Sequence, residues 1–415
     1  MKKVLFIIAL ILMPMLASAV GVEIDGINYS LFDETKAMVI NNPKGYQGDI
    51  IIPGTIDYKG KTYSVIYING EAFEGCSGLT SVSIPGSVID IGAGAFKNCS
   101  GLTSVTISDG VTAIGNGAFT ECYSLTSVSI PSSVTYIGGY AFHSCSGLTS
   151  ITIPDGVTTI GGCAFGYCTG LTSVNIPNSV TSIYFSAFSG CTGLMSVTIG
   201  NGVTDIGDGA FEGCSGLTSV TIGKSVTTIG RWAFKGCSGL TSISIPNSVT
   251  TIGYSAFMNC SGLTSVTIGD GVIIIGGGAF MNCSGLTSVT IPNSVTSIGD
   301  GAFDGWDLPI VISKIENPFI IKGKSKYDRT FSLNTFNNAT LYVPVGTIDK
   351  YKSTGGWKDF ANIVDGSSSG VSSIESEETN EISRYSLEGR VIKNSHKGIT
   401  VIQMNNGTTK KVVVK

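Results

Sequence analysis

Cysteine is the residue type whose spacing most clearly invites chemistry in this chain of 415 residues. Ten cysteines recur at intervals of 23 residues, and they are Cys76, Cys99, Cys122, Cys145, Cys168, Cys191, Cys214, Cys237, Cys260 and Cys283. In an oxidising compartment such residues can form disulfides, and their thiolates can bind metals. Side chains that stack in register point the same way, however, which suits the disulfide torsion poorly, and one column lacks the paired spacing of zinc sites. The pattern favours a column of buried thiols, with a disulfide and a metal as the alternatives.

Cys163 is the one cysteine outside this column. It directly precedes Ala164, at a position where the other copies of the repeat carry Gly, Ser, Glu, Tyr or Trp. We expect Cys163 to be either exposed and reactive or close enough to bridge Cys168.

Residues for enzyme catalysis are scarce in this chain. Its two histidines are His143 and His396, and it has no nucleophile elbow, phosphate-binding loop or His-x-x-x-His pair. Glycine runs such as residues 276–278 belong to a repeated turn and do not indicate nucleotide binding. We therefore predict no enzymatic activity, no cofactor and no metal ion.

An internal repeat must position all of these residues. The pair Ala-Phe recurs every 23 residues, with its alanine at 72, 95, 118, 141, 164, 187, 210, 233, 256, 279 and 302. Each copy contains Leu-Thr-Ser-Val-Thr-Ile or a close variant, which is a short strand with one buried face. A proline or glycine follows, then an apolar pair before the Ala-Phe turn. Trp306 replaces the cysteine of the eleventh copy, where the pattern ends.

Such a unit cannot bury its apolar residues alone, so its copies must stack. We predict a β-rich solenoid of about ten to eleven 23-residue rungs, with at most one helical turn near each Ala-Phe pair. Charged residues make up 13% of the chain and the formal net charge is −4, without the basic stripe that nucleic-acid binding needs. We therefore exclude nucleic acid as a partner.

Composition changes divide the chain into six predicted segments. Residues 1–19 read as a secretory signal peptide, because Lys2 and Lys3 precede a short apolar run and a small-residue cleavage site. Residues 20–64 are an N-terminal cap, 65–305 the solenoid, 306–364 a C-terminal cap of degenerate repeats with a short helix near 347–353, and 365–380 a linker. Residues 381–415 are a small module of three strands.

Two kinds of surface residue are candidates for binding. Hydroxyl side chains form two columns on the predicted strands, Ser81, Ser104, Ser127, Ser150, Ser173, Ser196, Ser219, Ser242, Ser265 and Ser288, and Ser83, Thr106, Ser129, Thr152, Asn175, Thr198, Thr221, Ser244, Thr267 and Thr290. They suit a glycan, but they are also ordinary residues of a solvated strand face.

Where the copies differ, aromatic residues and one arginine appear near the Ala-Phe turn. The predicted binding residues are Tyr136, Tyr140, Tyr184, Phe185, Arg231, Trp232 and Tyr254, and Tyr167 joins this group. Aromatic and arginine side chains are favoured anchors of protein interfaces, although single exposed aromatics can simply cover neighbouring turns.

The order L-x-x-V-x-I-P, V-x-x-I-G and A-F-x-x-C over residues 65–305 resembles the BspA-like, treponemal type of leucine-rich repeat. The resemblance implies a leucine-rich-repeat-like solenoid that is secreted or exposed on the bacterial cell surface. It also implies an adhesin-like role, with a host extracellular or cell-surface protein, or a partner cell, as ligand. The alternatives are a structural or spacer protein of the envelope, which the near-uniform rungs favour, and a glycan-binding protein.

Residues 381–415 resemble the C-terminal sorting domain of the type IX secretion system, although Thr400 stands where that family often has tyrosine. This resemblance implies that the secretion machinery is a further partner of the chain.

Overall fold

The structure is a computed structural model that describes residues 20–366 and the backbone of residues 381–385, 398–404 and 409–414. The predicted signal peptide, residues 1–19, and residues 367–380 of the predicted linker lie outside the described residues. The β-rich solenoid is confirmed, because strands of successive copies pair in parallel and in register.

One rung shows why the repeat winds in this way. Residues 104–107 form a strand whose alternate side chains point inward, residues 113–114 form a second strand of two residues, and turns connect the two. The inward apolar side chains of the rung are Leu102, Val105, Ile107, Val111, Ile114, Ala118, Phe119 and Cys122. Each rung therefore has a long-strand face, a short-strand face and a turn face, the last formed by the residues from the corner glycine Gly115 to Cys122 and their equivalents.

The N-terminal cap consists of six strands, β1 (Val20–Ile24), β2 (Ile27–Leu31), β3 (Lys36–Val39), β4 (Gly48–Ile51), β5 (Thr55–Tyr58) and β6 (Lys61–Ile68). β1 with β2, and β5 with β6, form hairpins whose turns have positive φ angles at Asp25–Gly26 and Lys59–Gly60. β3 pairs in parallel with β6, and β4 pairs in parallel with the first long strand of the repeats, so the cap joins both strand faces.

Long and short strands then alternate through the repeats, except in one rung, whose residues 150–153 form no strand. They are β7 (Leu79–Ile84), β8 (Asp90–Ile91), β9 (Ser104–Ile107), β10 (Ala113–Ile114), β11 (Ser127–Ser129), β12 (Tyr136–Ile137), β13 (Thr159–Ile160), β14 (Ser173–Ile176), β15 (Ser182–Ile183), β16 (Ser196–Ile199), β17 (Asp205–Ile206), β18 (Ser219–Thr221), β19 (Thr228–Ile229), β20 (Ser242–Ile245), β21 (Thr251–Ile252), β22 (Ser265–Ile268), β23 (Ile274–Ile275), β24 (Ser288–Ile291) and β25 (Ser297–Ile298). The short strands belong to one continuous sheet of 15 strands, whereas the long-strand face is divided into sheets of four, three, two and four strands.

The C-terminal cap continues the long-strand face with β26 (Ile310–Ser313), β27 (Thr340–Pro344) and β28 (Asn362–Gly366). Between these strands lie the helices α1 (Leu333–Asn338) and α2 (Ile348–Ser353) and the 3-10 helix η1 (Trp357–Asp359). The helix predicted near residues 347–353 is α2. Among the described residues, none of the helices combines the length and the apolar character that crossing a bilayer would require.

Three further strands, β29 (Glu381–Tyr385), β30 (Gly398–Met404) and β31 (Thr409–Val414), form an antiparallel sheet within the C-terminal module. β28 extends to Gly366, two residues into the range predicted as a linker.

The expected count of ten to eleven rungs was too low, because the long-strand face contains thirteen strands. The additional ones are β4 and β26 to β28, which come from the segments predicted as caps. β26 to β28 lie in the segment predicted as degenerate repeats, and they were not counted as rungs because their spacing departs from 23 residues: Ile310 of β26 pairs with Thr340 of β27, thirty residues later. The described repeats have non-helical turns at the Ala-Phe pair, where at most one helical turn was expected.

Candidate binding surface

The ten cysteines of the column lie in the interior of the solenoid, behind the turn face. From Cys99 to Cys283, each thiol donates a hydrogen bond to the carbonyl of a phenylalanine in the preceding rung, at 3.0 to 3.2 Å. The same carbonyl also accepts the backbone N–H of the cysteine in its own rung, as Phe96 does from Cys99. The cysteines therefore link neighbouring turns as hydrogen-bond donors.

All eleven cysteines are free in the structure. Burial raises the pKa of Cys145 to about 12, so this thiol stays protonated at physiological pH. Among the described residues, no group of three His, Cys, Asp or Glu side chains is placed to hold a metal ion. The column therefore acts in packing and hydrogen bonding and is not a candidate ligand site.

The hydroxyl columns lie on the long-strand face, as their alternation predicts. A neighbouring threonine column, not these two, makes the hydrogen bonds between rungs: Thr103 donates to the Thr80 carbonyl at 3.0 Å, and Thr126 to that of Thr103 at 3.1 Å. Within residues 20–366, Ser81 alone in the two predicted columns has a side-chain hydrogen bond, to Asp49 at 2.6 Å. Their hydroxyls thus face solvent.

Three aromatic rings meet on the turn face across neighbouring rungs. The Tyr140 and His143 ring centroids are 5.3 Å apart, and those of His143 and Tyr167 are 5.5 Å apart in an edge-on arrangement. The Ser144 hydroxyl lies 3.0 Å from His143 Nδ1. Partial burial lowers the pKa of His143, against the opposing effect of Glu121, so the imidazole is neutral at physiological pH.

Three of the rings on this surface, those of His143, Tyr167 and Phe185, lie over a glycine of an adjacent rung. A Cβ atom on Gly162 would be 2.5 Å from Phe185 Cε1, one on Gly190 would be 2.7 Å from Tyr167 Cδ1, and one on Gly166 would be 3.0 Å from His143 Cδ2. We call Tyr140, His143, Tyr167 and Phe185 the aromatic cluster.

Cys163 lies within this surface. It directly follows Gly162, over which Phe185 packs, and its thiol raises the pKa of the Tyr140 hydroxyl as a hydrogen-bond partner. It is partly exposed, unlike the ten cysteines of the column, and it is not bridged to Cys168.

Tyr184 occupies a corner that is glycine in nine other rungs, at Gly92, Gly115, Gly138, Gly161, Gly207, Gly230, Gly253, Gly276 and Gly299. A Cβ atom at those glycines would lie 2.3 to 2.7 Å from backbone atoms of the preceding rung. Their N–H groups bond to the preceding rung at 2.8 to 2.9 Å, whereas the Tyr184 N–H to Ile160 carbonyl distance is 3.3 Å. The tyrosine is therefore accommodated by a local widening of the stack.

The remaining predicted residues lie outside the aromatic cluster. The Trp232 and Tyr254 ring centroids are 6.1 Å apart at 89°, and Arg231 precedes Trp232 at the same face. Tyr136 lies on the short-strand face, where its hydroxyl is 3.4 Å from Asn116 Oδ1. The predicted binding residues thus form two separate aromatic groups with Tyr136 beside them.

His143 was not predicted from the sequence as part of this surface, because a lone histidine was weighed only for catalysis and metal binding. A signal was present in the repeat, since His143, Tyr167 and Phe185 each face a glycine at the same repeat position in an adjacent copy.

The family model described as "BspA type Leucine rich repeat region" matches residues 66–195, 182–308 and 251–351. No curated protein is similar enough to the chain to count as a match.

Two solved structures are similar over most of their length. A leucine-rich-repeat protein from Bacteroides ovatus is 27% identical, with 83% of this chain and 100% of that chain covered and a TM-score of 0.54. A leucine rich cell surface protein from Faecalibacterium prausnitzii is 28% identical, with 82% and 98% covered and a TM-score of 0.51.

Proposed function

Because this chain belongs to the BspA-type leucine-rich-repeat family, we propose that it is a recognition protein of the bacterial cell surface. Its role is adhesin-like: the turn face binds a host extracellular or cell-surface protein, or a protein on a partner cell. The similar protein from F. prausnitzii is described as a cell surface protein, which supports the location. A stacked solenoid also presents a long surface suited to a large partner.

The pair Tyr184–Phe185 carries this proposal. Both side chains are half exposed, at 50% and 52%, and they replace residues that are glycine in other rungs, such as Gly138–Gly139. Tyr184 lengthens a hydrogen bond between rungs. Phe185 packs over Gly162 but stays half exposed. Departures from an otherwise consistent local pattern concentrate at functional sites, since packing alone does not favour them.

Two other functions have support of their own. The uniformity of the rungs favours a spacer of the envelope without a specific ligand. A shallow groove lined by Asn175, Thr198 and Thr221 of the long-strand face favours a glycan.

A binding comparison separates these functions. The purified chain is tested against host matrix proteins, host cells, partner bacteria and a glycan array, beside a double variant, Tyr184→Gly with Phe185→Gly, that restores the Gly-Gly of other rungs. Tyr327→Ser removes an exposed aromatic of the C-terminal cap, where Tyr327 is 86% exposed, and is the matched control. We expect the parent and the control to bind a protein or cell and the double variant to lose that binding. Binding to glycans alone, or to nothing, contradicts the proposal.

The terminal segments extend the proposal to export. We propose that residues 1–19 direct export and that residues 381–415 address the chain to a type IX secretion machinery. The support is the layout of the first segment and the resemblance of the second.

A further inference from the structure

We infer that the aromatic cluster is the principal contact site of the turn face, and that its partner is a protein segment bearing lysine or arginine side chains. This inference rests on the proposed function, because it identifies the chemistry of the partner that the turn face recognises.

The rings of the cluster are held in place before any partner arrives. Tyr140, His143 and Tyr167 contact one another in sequence, and Phe185 and Tyr167 lie over glycines of adjacent rungs. Yet Tyr140 and Tyr167 remain 47% and 55% exposed, so their surfaces are available to a partner. Rigid exposed aromatics bind with a small loss of conformational entropy, which is typical of interface anchors.

The charges around the cluster have one sign. Lys97 and Lys224 are consecutive basic residues along the chain, so no lysine or arginine occurs in the 126 positions between them (224 − 97 − 1). Six acidic residues occur in the same stretch: Asp109, Glu121, Asp155, Asp205, Asp208 and Glu212. Of these, Glu212 alone forms an ion pair in the described structure, with Lys235 at 2.9 Å. This part of the solenoid therefore carries a net negative charge.

Two of these acidic residues lie in rungs next to the cluster. Glu121 acts electrostatically on His143. Asp208 occupies the position of Phe185 in the next rung, where its backbone carbonyl accepts the N–H of Ser186 at 2.8 Å and its carboxylate accepts the N–H of Arg231 at 2.7 Å. Acidic residues thus lie in the rungs on both sides of the rings, and the neutral His143 adds no positive charge.

Aromatic faces and carboxylates both attract cations. A lysine or arginine side chain over Tyr140, Tyr167 or Phe185 gains a cation–π interaction, and the flanking carboxylates attract the same charge. An anionic partner, such as a sulfated glycan, nucleic acid or anionic membrane, meets repulsion here. Arginine is the better match, because its planar guanidinium stacks on aromatic rings.

The test titrates the full chain with three probes: an arginine-rich peptide, a glutamate-rich peptide of equal length and a neutral oligosaccharide. We expect only the arginine-rich peptide to bind, with an affinity that falls as salt rises. Gly162→Ala should weaken this binding by roughly tenfold, because the atoms nearest to its new Cβ belong to the Phe185 ring. Tyr167→Ser, which restores the residue of the preceding rung at that position, Ser144, should have a similar effect.

Gly70→Ala is the matched control, because Gly70 has the same position in the first rung and its Cβ would meet only backbone, the Ala93 carbonyl, at 3.1 Å. Equal binding by the parent, the control and both cluster variants overturns the inference, and so does preference for the acidic or the neutral probe. A chain that still binds a host protein or cell in that case retains the proposed function. A chain that binds no host protein or cell loses both.

Discussion

At the scale of single residues, the solenoid depends on glycines that allow close approach of neighbouring rungs. The N–H groups of the corner glycines bond to the preceding rung at 2.8 to 2.9 Å, and the one tyrosine at this corner widens that contact to 3.3 Å. The corner glycines are therefore required by packing, whereas Tyr184 is a residue that packing does not explain.

Gly161→Ala tests this requirement. Its Cβ would lie 2.4 Å from the Gly139 nitrogen, with no flexible side chain to move aside. We expect the free energy of unfolding to fall by about 1–3 kcal/mol, the usual effect of overpacking, as measured by urea denaturation. Gly70→Ala serves again as the control, and an unchanged stability for Gly161→Ala would refute the packing requirement.

The cysteine column predicts a loss of stability at alkaline pH. A thiol in the unfolded chain titrates near 9.0, whereas burial raises the pKa of Cys145 to about 12 in the folded chain. The stabilisation from this thiol is therefore complete below pH 9 and is lost as pH rises toward 12, by about 1.4 kcal/mol per pH unit. In Cys145→Ala, the unfolding free energy should fall less steeply between pH 9 and pH 10.5. The difference in slope should be that of one proton, about 1.4 kcal/mol per pH unit. Parallel curves for parent and variant would show that this thiol does not contribute.

At the scale of elements, the two caps complete the stacks that the repeats begin. Successive phenylalanine rings from Phe96 to Phe303 lie 5.1 to 5.5 Å apart and within 7° of parallel. Tyr46 and Phe73 of the N-terminal part extend the column at 4.4 and 4.6 Å, and Phe331 extends it past Phe303 at 5.2 Å. The caps are thus integral parts of the same core.

Phe331→Ala should destabilise the C-terminal end of the stack. Phe331 is fully buried and contacts Phe303, Phe336 and Phe360, so its loss should lower the unfolding free energy by about 3–5 kcal/mol. Because each rung contacts only its neighbours, hydrogen exchange should quicken in the last rungs and not in the first. Equal loss of protection at both ends would contradict the nearest-neighbour account.

The sequence predicted the regular repeats better than it predicted the caps and the side-chain contacts. The 23-residue period determines the rungs, their inward side chains and the register of strands, because identical copies can only stack in one way. The strands β4 and β26 to β28 were assigned to the two caps, the last three as degenerate repeats. They were not counted among the regular rungs, since they join the stack through backbone pairing without the repeat pattern. The exposed aromatics were found by their departure from the repeat, but contact between rings such as Tyr140 and His143 depends on side-chain directions that spacing does not reveal.

At the scale of the whole molecule, the terminal segments predict how the chain reaches its place of action. If residues 1–19 direct export and residues 381–415 address a type IX machinery, the chain outside the cell should lack both. Mass spectrometry of protein from the cell surface, culture fluid and periplasm measures this. Recovery of a periplasmic chain with residues 381–415 intact would contradict the export proposal and strengthen the envelope-spacer alternative.

The whole molecule combines nearly uniform rungs with a surface that differs from them, the aromatic cluster. The aromatic cluster interrupts a stack whose other turns carry mostly small or polar residues, and it lies in the stretch without basic residues. We therefore propose that recognition takes place on the turn face of residues 140–185.

Alkylation of Cys163 tests this location most directly, because it is the one cysteine of eleven that is not buried and it lies within the cluster. The rate is measured on the full chain, free and saturated with a host protein or cell that it binds, with the ten buried cysteines as unreactive internal controls. The account predicts that binding markedly slows the alkylation of Cys163. An unchanged rate in the saturated chain would place the partner elsewhere and contradict it.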